Sequence, residues 1–317
     1  MTPTRELAIG KWRGLLPQLG IDSKYLRNKH GPCPICGGKD RFRFDDTKGT
    51  GSWICSQCGS GDGFDLVQRK LGLNFSELSK RIKPLVGGVV KMVQDVQVED
   101  EAVLKERMKR LWAAGRPVHP YGVVATYLRS RVGRVWLSNS IREVSNIRHP
   151  NSDQRFNAMI ARITDVDGAG ANIHITYLDN NGNKAPVSPV KRVMKGKLPD
   201  GCAIRLGKPA ELMGVAEGIE TAISASIIHG VPVWAAINGA MMAKWIPPEE
   251  VNYINIYADN DVNYTGLAKA YTLANRLCTQ YHIRAEVIYP HQIGYDWCDT
   301  LGDYISCGEY FDGKNVG

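Results

Sequence analysis

Two Cys-x-x-Cys pairs, Cys33-Pro-Ile-Cys36 and Cys55-Ser-Gln-Cys58, constrain the first eighty residues more than any other feature. Each pair sets two thiolates on one tight knuckle. The 18 residues between the pairs are the length of a β-hairpin, so four sulfurs can converge tetrahedrally on Zn²⁺. A redox dithiol would need only one such pair. Between the knuckles, Arg41-Phe42-Arg43-Phe44 alternates with period two, which predicts a strand with both arginines on one face and both phenylalanines on the other. The phenylalanines are expected to fill the small core. Lys39, Arg41, Arg43 and, on the return strand, Trp53 make a candidate surface for single-stranded nucleic acid, through phosphate contacts and base stacking.

The other four cysteines (Cys202, Cys278, Cys298 and Cys307) are scattered. The opening Met-Thr-Pro-Thr-Arg-Glu has no apolar core followed by a small-residue cleavage site. One metal site plus free thiols in a reducing, cytoplasmic compartment is the expectation. No apolar run approaches the ~20 residues that span a bilayer, so no membrane partner is expected.

Residues 5–16 carry Leu7, Ile9, Trp12, Leu15 and Leu16 at helical spacing and predict one short helix, closed by Pro17 and Gly20. Helices are also predicted over 62–71 and 74–82, the latter capped by Asn74 or Ser76 and stopped by Pro84 and the Gly87-Gly88 pair. This makes residues 1–84 a first domain and 85–100 a linker. Farther on, Tyr127-Leu-Arg129-Ser-Arg131 falls on a helix, and runs over 158–164 and 173–177, bounded by Asp165-Val-Asp-Gly168 and Asp179-Asn-Asn-Gly182, predict an antiparallel meander. A basic run, Lys191-Arg192-Val-Met-Lys195-Gly-Lys197, closes this region as either a solvated loop or a phosphate site.

From residue 206 onward, strands and helices alternate. Strands are predicted over 212–216, 231–236, 253–258 and 285–289, with helices over 219–229 and 264–281 and a short one near Met241. Near-continuous apolar strands separated by helices mean a mostly parallel sheet covered on both faces. The strand ends are acidic. The first ends in Glu217-Gly218, the third in Asp259-Asn-Asp261, and Asp296 and Asp299 follow the last. An Asp-x-Asp after a strand also serves as a solvated turn or helix cap, but carboxylates at three strand ends point to a divalent cation such as Mg²⁺. Gly218 would let backbone or ligand come close. Glu220, in the first helical turn, is accounted for by the helix dipole and stands outside the proposed set.

Charge is partitioned along the chain. Residues 1–85 hold 15 basic against 8 acidic side chains, residues 86–205 hold 19 against 11, and residues 206–317 hold 6 against 13. Two basic stretches and one acidic stretch suit a polyanion platform attached to a metal-demanding centre.

These motifs resemble those of phage and plasmid primases that combine an N-terminal zinc ribbon with a Toprim catalytic domain. Gly31-Pro-Cys-Pro-Ile-Cys-Gly-Gly-Lys-Asp-Arg-Phe-Arg-Phe44 with Cys55-Ser-Gln-Cys58 is similar to the primase-helicase zinc motif. Ala216-Glu217-Gly-Ile-Glu-Thr-Ala222, Ala258-Asp259-Asn-Asp261 with Gly266, and Gly294-Tyr-Asp-Trp-Cys-Asp299 resemble the Toprim acidic motifs. Cys298 stands where that last motif has Asn, which leaves open whether Asp296 or Asp299 is the functional acid.

The resemblance implies a multi-domain α/β protein: a zinc ribbon (1–84), a linker (85–100), a basic α+β subdomain (101–205) and a Toprim domain with a mostly parallel sheet (206–317). It implies a DNA primase making short RNA primers on a single-stranded DNA template from NTPs, with structural Zn²⁺ and catalytic Mg²⁺ or Mn²⁺. Its setting would be mobile-element replication in a bacterial host cell. Asp259 and Asp261, supported by Asp296 or Asp299, would hold the metals, with Glu217 as ligand or general base. Arg129, Arg131, Lys191, Arg192, Lys195 and Lys197 would hold template or triphosphate. No Gly-x-x-x-x-Gly-Lys-Ser/Thr loop occurs, so a replicative helicase is expected as a separate partner. The competing expectations are a Toprim nuclease and a non-catalytic DNA-binding replication protein.

Overall fold

The computed structural model describes residues 4–87 and 100–307, and it divides into two units, Met1–Glu99 and Asp100–Gly317. Both mix helices and sheets, so the chain is of the α/β class.

The first unit opens with two helices where one was predicted, α1 (Thr4–Ala8) and α2 (Trp12–Gln18). The break falls at Gly10, which takes a φ of 78° and donates its N–H to the Gly49 carbonyl at 2.7 Å. That left-handed conformation is open to glycine and ends a helix. Four short antiparallel strands follow, β1 (Gly31–Cys33), β2 (Gly37–Phe44), β3 (Trp53–Cys55) and β4 (Gly59–Gly61), paired in that order. Helices α3 (Gly63–Leu71) and α4 (Phe75–Val86) each begin with a reciprocal capping box, Asp62 with Asp65 and Asn74 with Glu77.

Helix α4 runs through Pro84 instead of ending before it. Its buried stripe of Leu78, Ile82 and Val86 recurs every fourth residue and holds the last turn against the core. The expected linker therefore begins later than residue 85, and residues 88–99 lie outside the described part. Trp12, Leu15, Leu16, Phe42, Phe44, Trp53 and Phe64 form the unit's core.

The second unit starts with α5 (Glu101–Ala114), capped by the Asp100 carboxylate. Then come β5 (Arg116–Pro117), α6 (Val123–Val132), β6 (Ile141–Arg148), β7 (Arg155–Thr164), β8 (Gly170–Leu178) and β9 (Lys191–Val193). These strands form the expected antiparallel meander, in the order β5-β6-β7-β8-β9. The expectation lacked the two-residue β5, β6, whose mixed Arg-Glu-Val-Ser-Asn sequence alternates poorly, and β9, which the basic run conceals.

The C-terminal part supplies β10 (Leu212–Ala216), α7 (Ile219–His229), β11 (Val233–Ala235), α8 (Gly239–Met242), β12 (Tyr253–Tyr257), α9 (Thr265–Arg276), a π-helical turn over Leu277–Tyr281, β13 (Arg284–Ile288) and α10 (Trp297–Ser306). The four strands are all parallel, in the order β11-β10-β12-β13. Helix α7 is apolar nearly all round (Ile219, Ala222, Ile223, Ala225) because it is buried all round, packing against α6 and α10 as well as the sheet. On the opposite face, Val215, Ile254, Ile256, Ala270 and Leu273 join a second core. No helix among the described residues is long and apolar enough to cross a membrane.

Candidate functional site

The parallel sheet has its topological switch between β10 and β12. From β10 the chain passes through α7 to β11 on one side, then returns to β12 on the other. Loops diverging from two adjacent strand ends open a crevice there, the usual ligand position of such sheets. Glu217 follows β10, Asp259 and Asp261 follow β12, and Asp296 and Asp299 follow β13.

The buried Asn260 braces these ends. Its side-chain amide donates to the Pro290 carbonyl at 2.8 Å, its main-chain N–H donates to the Tyr295 carbonyl at 3.0 Å, and its own carbonyl accepts the Gly294 N–H at 2.7 Å. Trp297 adds a bond from its indole to the Ala258 carbonyl at 3.1 Å, tying α10 to the end of β12. Gly266 at the start of α9 lies so close that a Cβ would stand 2.9 Å from the Asp259 carbonyl. Gly218 has no such constraint; a Cβ there would meet nothing nearer than Thr221 Oγ1 at 3.7 Å.

The carboxylates differ sharply in setting. Asp259 Oδ1 is buried with no hydrogen-bond partner among the described residues. Burial, followed by the negative charges of Glu217, Asp296 and Asp261, pushes the Asp259 carboxyl up to about 7. Burial also raises Glu217, opposed by the Gly239 N–H and reinforced by Asp261. Asp261 is exposed, and its Oδ2 accepts the Gly266 N–H at 3.3 Å.

Asp296 caps α10 through Oδ1, accepting from Cys298 N–H at 2.7 Å and Asp299 N–H at 3.0 Å, while Oδ2 faces Arg131 Nη2 at 3.5 Å. Asp299 turns back to accept the Asp296 N–H at 2.9 Å. Asp296 is thus the acid whose charge reaches Asp259, and Asp299 completes a capping box. Cys298 is buried and accepts from the Ser224 hydroxyl at 3.5 Å.

A buried carboxylate oxygen without a donor, ringed by like charges, fits a divalent cation. Among the described residues, only the four cysteines bring three or more ligand atoms within 4.8 Å of one another, so the carboxylates are more widely spaced. Such spacing suits Mg²⁺, which keeps several of its waters.

The shift has a signed consequence. Folded Asp259 holds its proton more tightly than in the unfolded chain, where its value is near 3.8, so this contribution favours folding at low pH and is lost as pH rises from 3.8 through about 7. Without divalent cation, the stability carried by this group is expected to fall by about 1 kcal/mol between pH 6 and pH 8. Asp259→Asn should remove that part of the slope, measured as the difference from wild type in urea unfolding across the range. An unchanged slope in the variant would show that Asp259 titrates normally.

In the first unit, Cys33, Cys36, Cys55 and Cys58 converge as predicted. Their sulfurs stand 3.9 Å (Cys33 to Cys58) and 3.8 Å (Cys36 to Cys55) apart. Tetrahedral zinc with Zn–S bonds of ~2.3 Å requires sulfurs roughly 3.8 Å apart. The Ile35 and Cys58 N–H groups point at the Cys33 and Cys55 sulfurs, each at 3.4 Å. Burial and the neighbouring thiols raise the Cys58 thiol far above its usual range, a crowding that a bound cation relieves.

The basic and aromatic residues separate into several settings. Phe42 and Phe44 are buried as expected, but so is Trp53, at 2% exposure, with its ring against Phe42 and its indole N–H on the Asp62 carbonyl at 2.9 Å. This corrects its assignment to the nucleic-acid face: four small strands cannot enclose a core without their largest side chain. Lys39 is exposed; Arg41 and Arg43 are half-buried, Arg41 on Gln57 and Arg43 on Asp45 at 2.6 Å.

In the second unit, Arg129 is exposed and donates to the Pro120 carbonyl at 2.6 Å. With Arg131 it lines a cleft of about 500 Å³ beside Tyr295, Cys298 and Asp299. The run 191–197 is not one patch. Lys191 pairs in register with Thr176, and Arg192 with Ile175, so the two alternate across the sheet. Lys191 faces α7 and the acids, whereas Arg192 lies on the Tyr177 side. Lys197 pairs with Glu101 at 3.1 Å, and Lys195 is exposed.

Sequence reasoning left out Asn260 and Glu220. Glu220 is only 5% exposed and accepts from the Tyr127 hydroxyl and, at 2.6 Å, from Lys191 Nζ. Burial alone would raise its carboxyl, but the Lys191 charge and these bonds bring it down to about 2. Its apolar, helical neighbourhood in the sequence was the available signal, since a carboxylate buried there must find a cation.

Comparison with known families matches residues 28–64 to the zinc-binding domain of primase-helicase, residues 102–206 to a domain of unknown function (DUF7146), and residues 212–304 to the Toprim domain. Among solved structures, the primase fragment of the bacteriophage T7 primase-helicase protein is 11% identical, with a TM-score of 0.40, over 89% of this chain and 98% of that one. The zinc-binding and RNA polymerase domains of the Aquifex aeolicus primase are 13% identical, with a TM-score of 0.41, over 96% and 83%. These likenesses are slight, whereas the family matches fall on the two motif sets singled out in the sequence. The chain therefore carries a primase-type zinc ribbon followed by a Toprim domain.

Proposed function

We propose that the protein is a DNA primase that joins NTPs into short RNA primers on single-stranded DNA. The observation that carries this reading is the buried Asp259 oxygen, without a partner among the described residues and set among acids that follow three strands, in a Toprim domain that shares its chain with a primase-type zinc ribbon. Asp259, Asp261 and Asp296 would hold Mg²⁺ or Mn²⁺, which when bound lowers the pKa of a primer hydroxyl and neutralises charge on the transferring phosphoryl group. Glu217, already more proton-avid than an ordinary glutamate, suits the general base that takes the 3′-hydroxyl proton. As that oxygen bonds to the α-phosphorus, the bond to pyrophosphate breaks.

Lys191, whose charge acts on both Glu217 and Asp259, offers a cation for the triphosphate, and Arg129 and Arg131 border the adjoining cleft. Structural Zn²⁺ would shape the ribbon, with Lys39, Arg41 and Arg43 presented to template phosphates. A separate replicative helicase and a place in mobile-element replication inside a bacterial cell complete the proposal.

The test is incubation with single-stranded DNA, Mg²⁺ or Mn²⁺ and labelled NTPs. Template-dependent oligoribonucleotides are expected. Degradation of the template without product would favour a nuclease, and template binding without turnover a non-catalytic replication protein.

A further inference from the structure

Glu220 sits where three elements meet. It projects from the first turn of α7, its Oε1 accepts the Tyr127 hydroxyl from α6, and its Oε2 accepts the Lys191 ammonium from β9 at 2.6 Å. The glutamate is buried, whereas the Lys191 side chain is 35% exposed, so one end of the pair is fixed and the other reaches solvent. The Lys191 charge is felt at both Glu217 and Asp259. Beside Lys191 on β8, the buried His174 Nδ1 and Thr176 Oγ1 have no partner among the described residues, so the strand that carries the lysine pairs with a polar stretch.

A lysine has four rotatable bonds, and holding it in one place before a ligand arrives needs an anchor. Helix-dipole stabilisation would need neither the tyrosine nor the lysine. We propose that Glu220 is a positioning residue that, braced by Tyr127, aims the Lys191 ammonium at the phosphates of a nucleoside triphosphate bound at the acidic strand ends. The inference rests on the primase reading for its ligand, but it is tested by a measurement that needs no synthesis.

The measurement is the rate at which an amine-reactive reagent modifies Lys191, read by mass spectrometry, with and without ATP and Mg²⁺. In the wild type, ATP is expected to slow modification about tenfold, and in Glu220→Gln less than about twofold, with the thermal transition retained. In primer synthesis, the Glu220→Gln and Lys191→Met losses should not multiply: the double variant should match Lys191→Met within about twofold, because both changes remove one aimed charge.

Equal protection by ATP in Glu220→Gln and wild type would overturn the proposal, as would multiplying losses or absence of protection in the wild type. If Glu220→Gln fails to fold, Tyr127→Phe removes one brace without changing charge. Protection weakened in that variant supports the proposal, and unchanged protection refutes it. A wild type that makes no primers yet shows Glu220-dependent protection would refute the primase reading and leave this one standing.

Discussion

Replacing Asp259 by alanine is expected to reduce primer synthesis by roughly 10³-fold while leaving the fold intact, with metal-free stability above pH 7 unchanged or raised. The two halves of that outcome have one cause. The buried Oδ1 of Asp259 has no hydrogen-bond partner among the described residues, so its removal orphans no donor there. What disappears is a buried carboxylate that Glu217, Asp296 and Asp261 already repel, and losing it relieves the protein. A carboxylate kept for structure behaves in the opposite way: truncation costs stability first and activity as a consequence. Asp299 is such a case, because its carboxylate closes the capping box at the start of α10. Urea unfolding and labelled-NTP incorporation on the same preparations separate the two patterns. Activity of Asp259→Ala within a few-fold of wild type would remove this residue from the centre.

The second large effect concerns the first unit. Cys33→Ser or Cys55→Ser is expected to release zinc and unfold residues 4–87, with loss of the near-ultraviolet dichroism of the buried Trp12 and Trp53, while the second unit keeps its own thermal transition. The magnitudes decide this. A structural zinc contributes about 10 kcal/mol or more of apparent binding free energy, whereas a domain of this size is stable by only about 5–10 kcal/mol in all. The unit does bury Leu15, Leu16, Phe44 and Phe64. But Phe42 and Trp53 lie on the strands whose ends carry the cysteines, so the metal and that half of the core are lost together. Retention of the tryptophan signal in a zinc-free variant would show that the apolar core suffices.

Much of this organisation is legible in the chain because it is local. Knuckle spacing predicts the cysteine cluster, period-two alternation predicts the buried Phe42 and Phe44, and apolar runs ending in acids predict both the parallel sheet and the edge where Glu217 and Asp259 emerge, with Asp296 following the last strand. What escapes is set by partners distant in sequence. Trp53 reads as a stacking surface until the ribbon closes over it. Lys191 and Arg192 read as one basic patch until strand pairing sends them to opposite faces. Glu220 reads as a helix-start acid because its partners lie 93 residues away at Tyr127 and 29 away at Lys191. The choice between Asp296 and Asp299 likewise depends on a capping geometry that spacing alone does not reveal.

The most direct test of the central claim, that acids from three strand ends form one divalent-metal centre, is Mn²⁺ binding followed by electron paramagnetic resonance, with Mg²⁺ as competitor. The wild type is predicted to bind Mn²⁺ displaceably by Mg²⁺, more tightly as pH rises through about 7, where Asp259 gives up its proton. Asp259→Asn is predicted to lose that binding while remaining folded. Mn²⁺ bound equally well by the wild type and by Asp259→Asn would contradict the account.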